Sequence, residues 1–172
     1  MEKIAQQKFK QSIGEYLLYM YQMEDLIRSY QFSLADIKQY VVSHYPISED
    51  EKKQTLEWFA DLCSQMKAEK IEQRGHLASV QKHVDQLAAL HWELLKSDST
   101  YFDLYQYAKP HVVELVLGAG TADPGHEIQV CIHALYGLLL SRLHGKEVPE
   151  PIIEATTHFG KVLQYLDQAY VR

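Results

Sequence analysis

Cysteine is scarce in this sequence, with two residues in 172. Two thiols are too few for the disulfide framework that stabilises many small secreted proteins. Cys63 and Cys131 each lie within an apolar helical pattern, where a free cysteine behaves as a small hydrophobic residue. The sequence therefore predicts a reduced protein of the cytoplasm.

A surplus of basic residues is also lacking, since 17 Lys and Arg stand against 23 Asp and Glu, for a net charge of −6. Nucleic acids and anionic membranes are bound largely through Lys and Arg, so we expect neither as a partner. The longest apolar run, Val130 to Leu140, contains His133 and is shorter than the roughly 20 residues of a membrane-spanning helix.

Strand patterns are absent as well, because no β-rich alternating runs occur between turn signals. The sequence has no internal repeat and no linker-like stretch, and its length suits one domain. We therefore predict an all-α protein that forms a single helical domain over residues 1–172.

A hydrophobic stripe at helical spacing marks the first predicted helix, from about Lys3 to Tyr30. The stripe consists of Phe9, Ile13, Tyr16, Met20, Met23, Ile27 and Tyr30. The middle of this helix is apolar on its other sides too, and such a helix is normally enclosed by others. We expect it to be the central helix of the fold.

Capping and breaking residues divide the rest of the chain into six further predicted helices. They run from about Ser33 to His44, from Ser48 to a lapse at Lys70, from Leu77 to Lys96, from Ser97 to Leu117, from Asp123-Pro124 to Gly145, and from Pro149 onward. Pro110 is expected to kink or divide the fifth helix. Because the connections are short, we predict an antiparallel helical bundle of about six to seven helices around the first.

Several stretches together resemble one known family. They are Glu15-Tyr-Leu-Leu-Tyr-Met20, Glu24-Asp-Leu-Ile-Arg28, Gly75-His-Leu77, Val113-Glu-Leu115, Glu127-Ile-Gln-Val-Cys131 and Ala134-Leu-Tyr-Gly-Leu-Leu-Leu-Ser-Arg-Leu143. In these residues the chain is similar to the bacterial domain of unknown function 4924. The resemblance spans nearly the whole chain and implies an all-helical protein with no assigned activity and no catalytic residues to carry over.

Nine histidines raise the question of a metal site. His76, His83 and His91 share a face of the fourth helix, but successive members are separated by roughly 10 Å or more along the axis. Ligands of one zinc ion must lie about 2 Å from it, so these histidines cannot share an ion. The same argument excludes His126 with His133.

Three carboxylate–imidazole pairs have closer spacing: Glu72/His76, His111/Glu114 and Glu154/His158. Each is a single pair, which we interpret as a helix-surface or loop contact. Gly-x-Ser-x-Gly and the phosphate-binding glycine motifs are absent, and the cysteines lack nearby cations that would activate a thiol. We therefore expect no metal, no cofactor and no catalytic residue.

Charged residues within apolar helices are the remaining unusual feature. Helical spacing places Arg142 on the apolar face of the sixth helix and Glu114 within Val112–Leu117. Glu24 and Asp25 occupy the hydrophobic first helix, with Arg28 one turn on. Because an unpaired buried charge is costly, we predict that Arg142 pairs with Glu24, Asp25 or Glu114 in the interior.

His91 lies between Leu87 and Leu94 in the stripe of the fourth helix, where a buried neutral imidazole bonded to a neighbouring helix is expected. Three functional hypotheses follow. The favoured one is a non-enzymatic structural or protein-interaction domain that binds a second copy or another protein. The second is a small-ligand pocket formed by Glu24, Asp25, Arg28, Glu114, Arg142 and His91. The third is an enzyme that uses His91 or His76 with a nearby carboxylate.

Overall fold

The computed structural model of the protein describes residues 1–172, which form eight α-helices, one 3-10 helix and no strand. The helices are α1 (Glu2–Gln11), α2 (Ile13–Ser29), α3 (Leu34–Tyr40), the 3-10 helix (Val42–His44), α4 (Glu49–Ala68), α5 (Ala78–Ser97), α6 (Ser99–Gly118), α7 (Glu127–Leu143) and α8 (Glu150–Ala169). The predicted all-α class is confirmed. No helix combines the length and the apolar character needed to cross a membrane.

The predicted first helix is divided at Ser12, so the expectation of one continuous helix is wrong. The backbone N–H of Ile13 donates to the Asp167 carboxylate at 2.8 Å instead of to a carbonyl of the preceding turn. A carboxylate at this position accepts a hydrogen bond from one of the free N–H groups at a helix start, and its negative charge interacts favourably with the positive end of the helix dipole. Ile13 therefore begins a new helix.

The hydrophobic middle of the predicted first helix corresponds to α2. Its stripe residues Ile13, Met20, Met23 and Ile27 are buried, as expected. Leu17, Tyr19 and Tyr21 on other sides of α2 are buried as well. The burial on several sides agrees with the expected enclosure of this helix, while its central place in the fold stays a prediction.

Local capping signals locate several helix starts correctly. Ser48 and Glu51 form a complete capping box at the start of α4, with both hydrogen bonds at 3.2 Å. Ser33 caps α3 by accepting from the N–H of Asp36, and Asp98 caps α6 by accepting from the N–H of Tyr101. These three starts depend on residues within one turn of the helix, which is why the sequence reveals them.

The predicted start of the sixth helix at Asp123-Pro124 is wrong, because α7 begins at Glu127. Asp123 instead accepts a hydrogen bond from the N–H of Gly125, whose φ of 78° lies in the left-handed region and cannot continue a helix. His126 is the N-cap. At its other end α7 stops before Gly145, as predicted, while α6 runs through Pro110 without being divided.

Contacts group the chain into two compact units. The first comprises residues 1–11 and 15–81, and in it α3 packs on α4 and on the 3-10 helix. The second comprises residues 12–14 and 82–172, and in it α8 packs against both α6 and α7. A single domain over residues 1–172 stays a prediction.

Within the second unit, α6 and α8 are antiparallel. Tyr165 near the end of α8 donates to Asp98 at the start of α6 at 2.6 Å. Further along α6, Tyr107 and His111 stack on His158, which lies near the middle of α8. Because the residue numbers rise on one helix as they fall on the other, the last turns of α6 lie beside the first turns of α8.

Candidate functional site

Glu24 is a buried carboxylate in the first unit, with 1% of its surface exposed. One oxygen accepts from the backbone N–H of Leu77 at 2.7 Å, and the other lies 2.9 Å from Nδ1 of His76. The His76 ring also stacks on Tyr21, with ring centroids 3.7 Å apart. Glu24 thus anchors the segment that leads into α5.

Arg28 binds the same loop one turn further along α2. Its guanidinium donates to the carbonyl oxygens of Ile71 and Gly75, and it pairs with the exposed carboxylate of Asp25 at 3.2 Å. The structure therefore brings Glu24, Asp25 and Arg28 together, as the sequence suggested. The hydrogen bonds of Glu24 and Arg28 hold the loop between α4 and α5.

The other two charges of the predicted core cluster are not buried. Arg142 in the last turn of α7 and Glu114 near the end of α6 are both exposed, and neither forms an ion pair. The prediction that Arg142 pairs with Glu24, Asp25 or Glu114 in the interior is therefore wrong. The residues that share the face of Arg142 in the last turns of α7 are only half-buried, so that face reaches solvent.

His91 belongs to a different polar cluster, in the second unit. Its side chain is fully buried on α5, with Nδ1 2.6 Å from the Tyr101 hydroxyl and Nε2 2.9 Å from the Glu127 carboxylate. The Tyr105 hydroxyl donates to the same Glu127 oxygen. The prediction of a buried His91 bonded to neighbouring helices is confirmed, and α6 and α7 supply the partners.

The hydrogen bonds of His91 define one protonation state. Burial raises the pKa of Tyr101, so its hydroxyl stays protonated and donates a hydrogen bond to Nδ1 of His91. The Nε2–H then donates to Glu127. Burial also lowers the pKa of His91, against the opposing effect of the Glu127 hydrogen bond. His91 is therefore a neutral imidazole with both nitrogens occupied.

This arrangement limits the enzyme hypothesis. Both candidate histidines do lie within hydrogen-bond reach of a carboxylate, but catalysis also needs access for a substrate. His91 has no exposed surface, and His76 is held between Glu24 and the Tyr21 ring. The geometry of these two pairs favours packing and loop anchoring over proton transfer to a bound molecule.

The neutral state of His91 predicts a pH-dependent stability. Its pKa is lower in the folded state than the unfolded value of about 6.5, so the unfolded chain binds more protons and stability falls as pH drops below about 6.5. One such group contributes a slope of up to about 1.4 kcal/mol per pH unit. Measured by urea unfolding between pH 7.5 and 5, His91→Gln should show a shallower decline than the wild type.

His83 is the matched control, because burial lowers its pKa as well while its ring is less enclosed. His83→Gln should reduce the slope less than His91→Gln does. An unchanged slope in His91→Gln would contradict the assignment of a neutral buried His91.

A third group of side chains was missed by the sequence analysis. His111 on α6 and Glu154 and His158 on α8 place their ligand atoms within 4.8 Å of one another. The Glu154/His158 spacing is visible in the sequence, but on its own it indicates no more than a helix-surface or loop contact. Only the packing of α6 on α8 adds His111, so the spacing on one helix could not reveal the group.

The comparisons with known proteins agree with the resemblance seen in the sequence. The family model described as domain of unknown function (DUF4924) matches residues 2–172. Comparison with curated proteins and with solved structures finds no match. Because the family match covers essentially the whole chain, the protein belongs to the DUF4924 family.

Proposed function

We propose that this protein is a non-enzymatic interaction module that forms a homodimer through one end of its second unit. The observation that carries the proposal is a set of exposed large hydrophobic residues at that end. They are Val113, Leu115, Val116 and Leu117 of α6, Leu143 of α7 and Ile152 of α8, and we call them the apolar end.

The packing places these residues together. α7 begins beside the middle of α6, because its first residue, Glu127, accepts a hydrogen bond from Tyr105. α7 ends at Leu143, seven residues before α8 starts. Glu154 and His158 of α8 lie beside His111 of α6, and because the two helices are antiparallel, the first turn of α8 lies beside the last turns of α6. The last turns of α6 and α7 and the first turn of α8 therefore occur at the same end of the unit.

The final turns of α6 are apolar on nearly every side, yet they are open to solvent. Leu117 is 76% exposed and Val113 is 47% exposed. A helix segment that is hydrophobic all round is normally buried, and contiguous exposed apolar surface on a soluble protein commonly marks an interaction site. We therefore expect a partner to cover the final turns of α6.

The charges at the apolar end favour a second copy as that partner. Glu114 and Arg142 have opposite signs, are both exposed among apolar residues, and form no ion pair within the chain. In a two-fold dimer each contact occurs twice, so Glu114 of one copy can pair with Arg142 of the other. Such a pairing gives partners to the two charges whose predicted burial in the interior is wrong.

Other features support an interaction role in the cytoplasm. Burial raises the pKa of Cys131 to about 12 and also raises the pKa of Cys63, so neither thiol is activated as a nucleophile. Both cysteines are unpaired, as in a reducing compartment. The net charge of −6 favours a protein partner over nucleic acid.

Sedimentation equilibrium tests the proposal. We expect the wild type to have about twice the chain mass of 19.9 kDa at micromolar concentration, and Leu117→Asp to sediment as the single chain. A charge placed in an apolar interface loses its hydration without gaining a partner. Phe102→Asp is the control, because Phe102 is exposed at the opposite end of α6 and should leave the dimer intact.

A charge exchange tests the pairing itself. Glu114→Arg and Arg142→Glu should each weaken dimerisation at least about tenfold, because like charges then face each other, and the double variant should restore it. A wild type that sediments as a monomer at all concentrations would overturn the proposal. A dimer that Leu117→Asp leaves unchanged would place the interface elsewhere and also overturn it.

A further inference from the structure

We propose that His111, Glu154 and His158 form a binding site for one divalent transition-metal ion, with Zn²⁺ as the first candidate. The site lies within the second unit of a single chain and does not depend on the dimer. The placement of the three side chains, the chemistry of their ligand atoms and their access to solvent all suit a bound ion.

The two packed helices fix the placement. Glu154 and His158 are one turn apart on the same face of α8, and His111 faces them from α6. The register of the two helices is held by the hydrogen bond from Tyr165 to Asp98 and by the Tyr107 ring, which stacks on His158 itself. Neither helix has to unwind for the three side chains to converge.

The distances suit one shared ion. Two ligand atoms that each lie about 2.1 Å from a zinc ion are at most about 4.2 Å apart. The ligand atoms of the group lie within 4.8 Å of one another, so the widest pair must approach by about 0.6 Å or more to share one ion. Small rotations of the three side chains, none of which is fully buried, close this gap.

The donor set indicates the class of metal. Two imidazoles and one carboxylate suit Zn²⁺ and other first-row divalent ions, whereas Mg²⁺ and Ca²⁺ prefer oxygen ligands throughout. Three protein ligands leave at least one coordination position for water or another small molecule. Because the histidines are only half-buried and Glu154 is exposed, that position is accessible from solvent.

The first test titrates metal-free, dialysed full-length protein with ZnSO₄ by calorimetry and with CoCl₂ by visible absorption. We expect one equivalent of Zn²⁺ per chain and a Co²⁺ spectrum with the d–d bands of a nitrogen-liganded site. His111→Ala, His158→Ala and Glu154→Gln should each weaken binding at least about tenfold, because each removes a ligand.

His144→Ala is the matched control, since His144 is an exposed histidine outside the group, and its binding should equal that of the wild type. Glu154 is exposed, so Glu154→Gln reports on binding without disturbing the fold, and circular dichroism verifies this for every variant. Wild-type binding no tighter than that of His111→Ala/His158→Ala would overturn the proposal. So would one equivalent of Zn²⁺ that all three ligand variants retain, because the ion would then be held elsewhere.

Discussion

Replacing Glu24 with alanine is expected to lower the free energy of unfolding by about 3–5 kcal/mol. The carboxylate is 1% exposed and accepts two hydrogen bonds, from the backbone N–H of Leu77 and from His76. Each hydrogen bond to a charged group is worth about 1.5–3 kcal/mol, and Leu77 is itself buried, so its N–H has no access to water as a substitute. Urea unfolding followed by circular dichroism measures the loss.

Asp25 provides the control for Glu24. It is the next residue on α2, but its carboxylate is exposed and pairs with Arg28 at the surface. Asp25→Ala should therefore cost less than about 1 kcal/mol. Hydrogen exchange gives a local test, because the Leu77 amide should lose protection in Glu24→Ala and keep it in Asp25→Ala. Equal costs for the two variants would contradict the anchoring role of Glu24.

Features that depend on neighbouring residues could be predicted from the sequence. The capping box at Ser48 and Glu51, the Asp98 cap and the stop at Gly145 each involve residues within a turn or two of one another. The buried stripe of α2 follows from its periodicity alone. The break at Ser12 could not be predicted in this way, because it involves Asp167, which is 154 residues from Ile13.

The charged residues of the candidate site show more clearly what helical spacing cannot predict. Helical spacing correctly places Arg142 on the same face as apolar residues, but it does not show whether another element covers that face. For α7 the first turns are buried from Ile128 to Ile132, while the last turn reaches solvent at Leu143. The same apolar pattern is therefore buried in the first turns of the helix and exposed to solvent in its last turn.

Partners from distant segments were missed for the same reason. Glu24 was recognised as unusual, but the loop that it binds lies about fifty residues further along the chain. His91 was expected to be buried with a hydrogen bond, yet Glu127 was not identified, because it opens α7 and resembles an ordinary acidic first-turn residue. Spacing on single helices indicates the type of group and the face on which it lies, whereas its burial and its partner depend on tertiary packing.

Replacing His91 with alanine is expected to cost about 3 kcal/mol or more in the free energy of unfolding. The substitution empties a fully buried position and removes the partner of the Tyr101 hydroxyl, which has no exposed surface. Glu127 is less affected, because it is partly exposed and keeps the hydrogen bond from Tyr105. His144→Ala, at an exposed position, should change stability by less than about 0.5 kcal/mol under the same urea titration.

A double-mutant cycle with Tyr101→Phe separates the lost hydrogen bond from the cavity. In the wild type, Tyr101→Phe should cost about 0.5–1.5 kcal/mol, because it removes a buried hydrogen bond to His91. In the His91→Ala background the same change should be neutral or stabilising, since it removes a hydroxyl that has lost its partner. The expected coupling energy of about 0.5–3 kcal/mol is the signature of a direct contact. If Tyr101→Phe costs the same in both backgrounds, the hydrogen bond contributes nothing to stability and the loss in His91→Ala comes from packing alone.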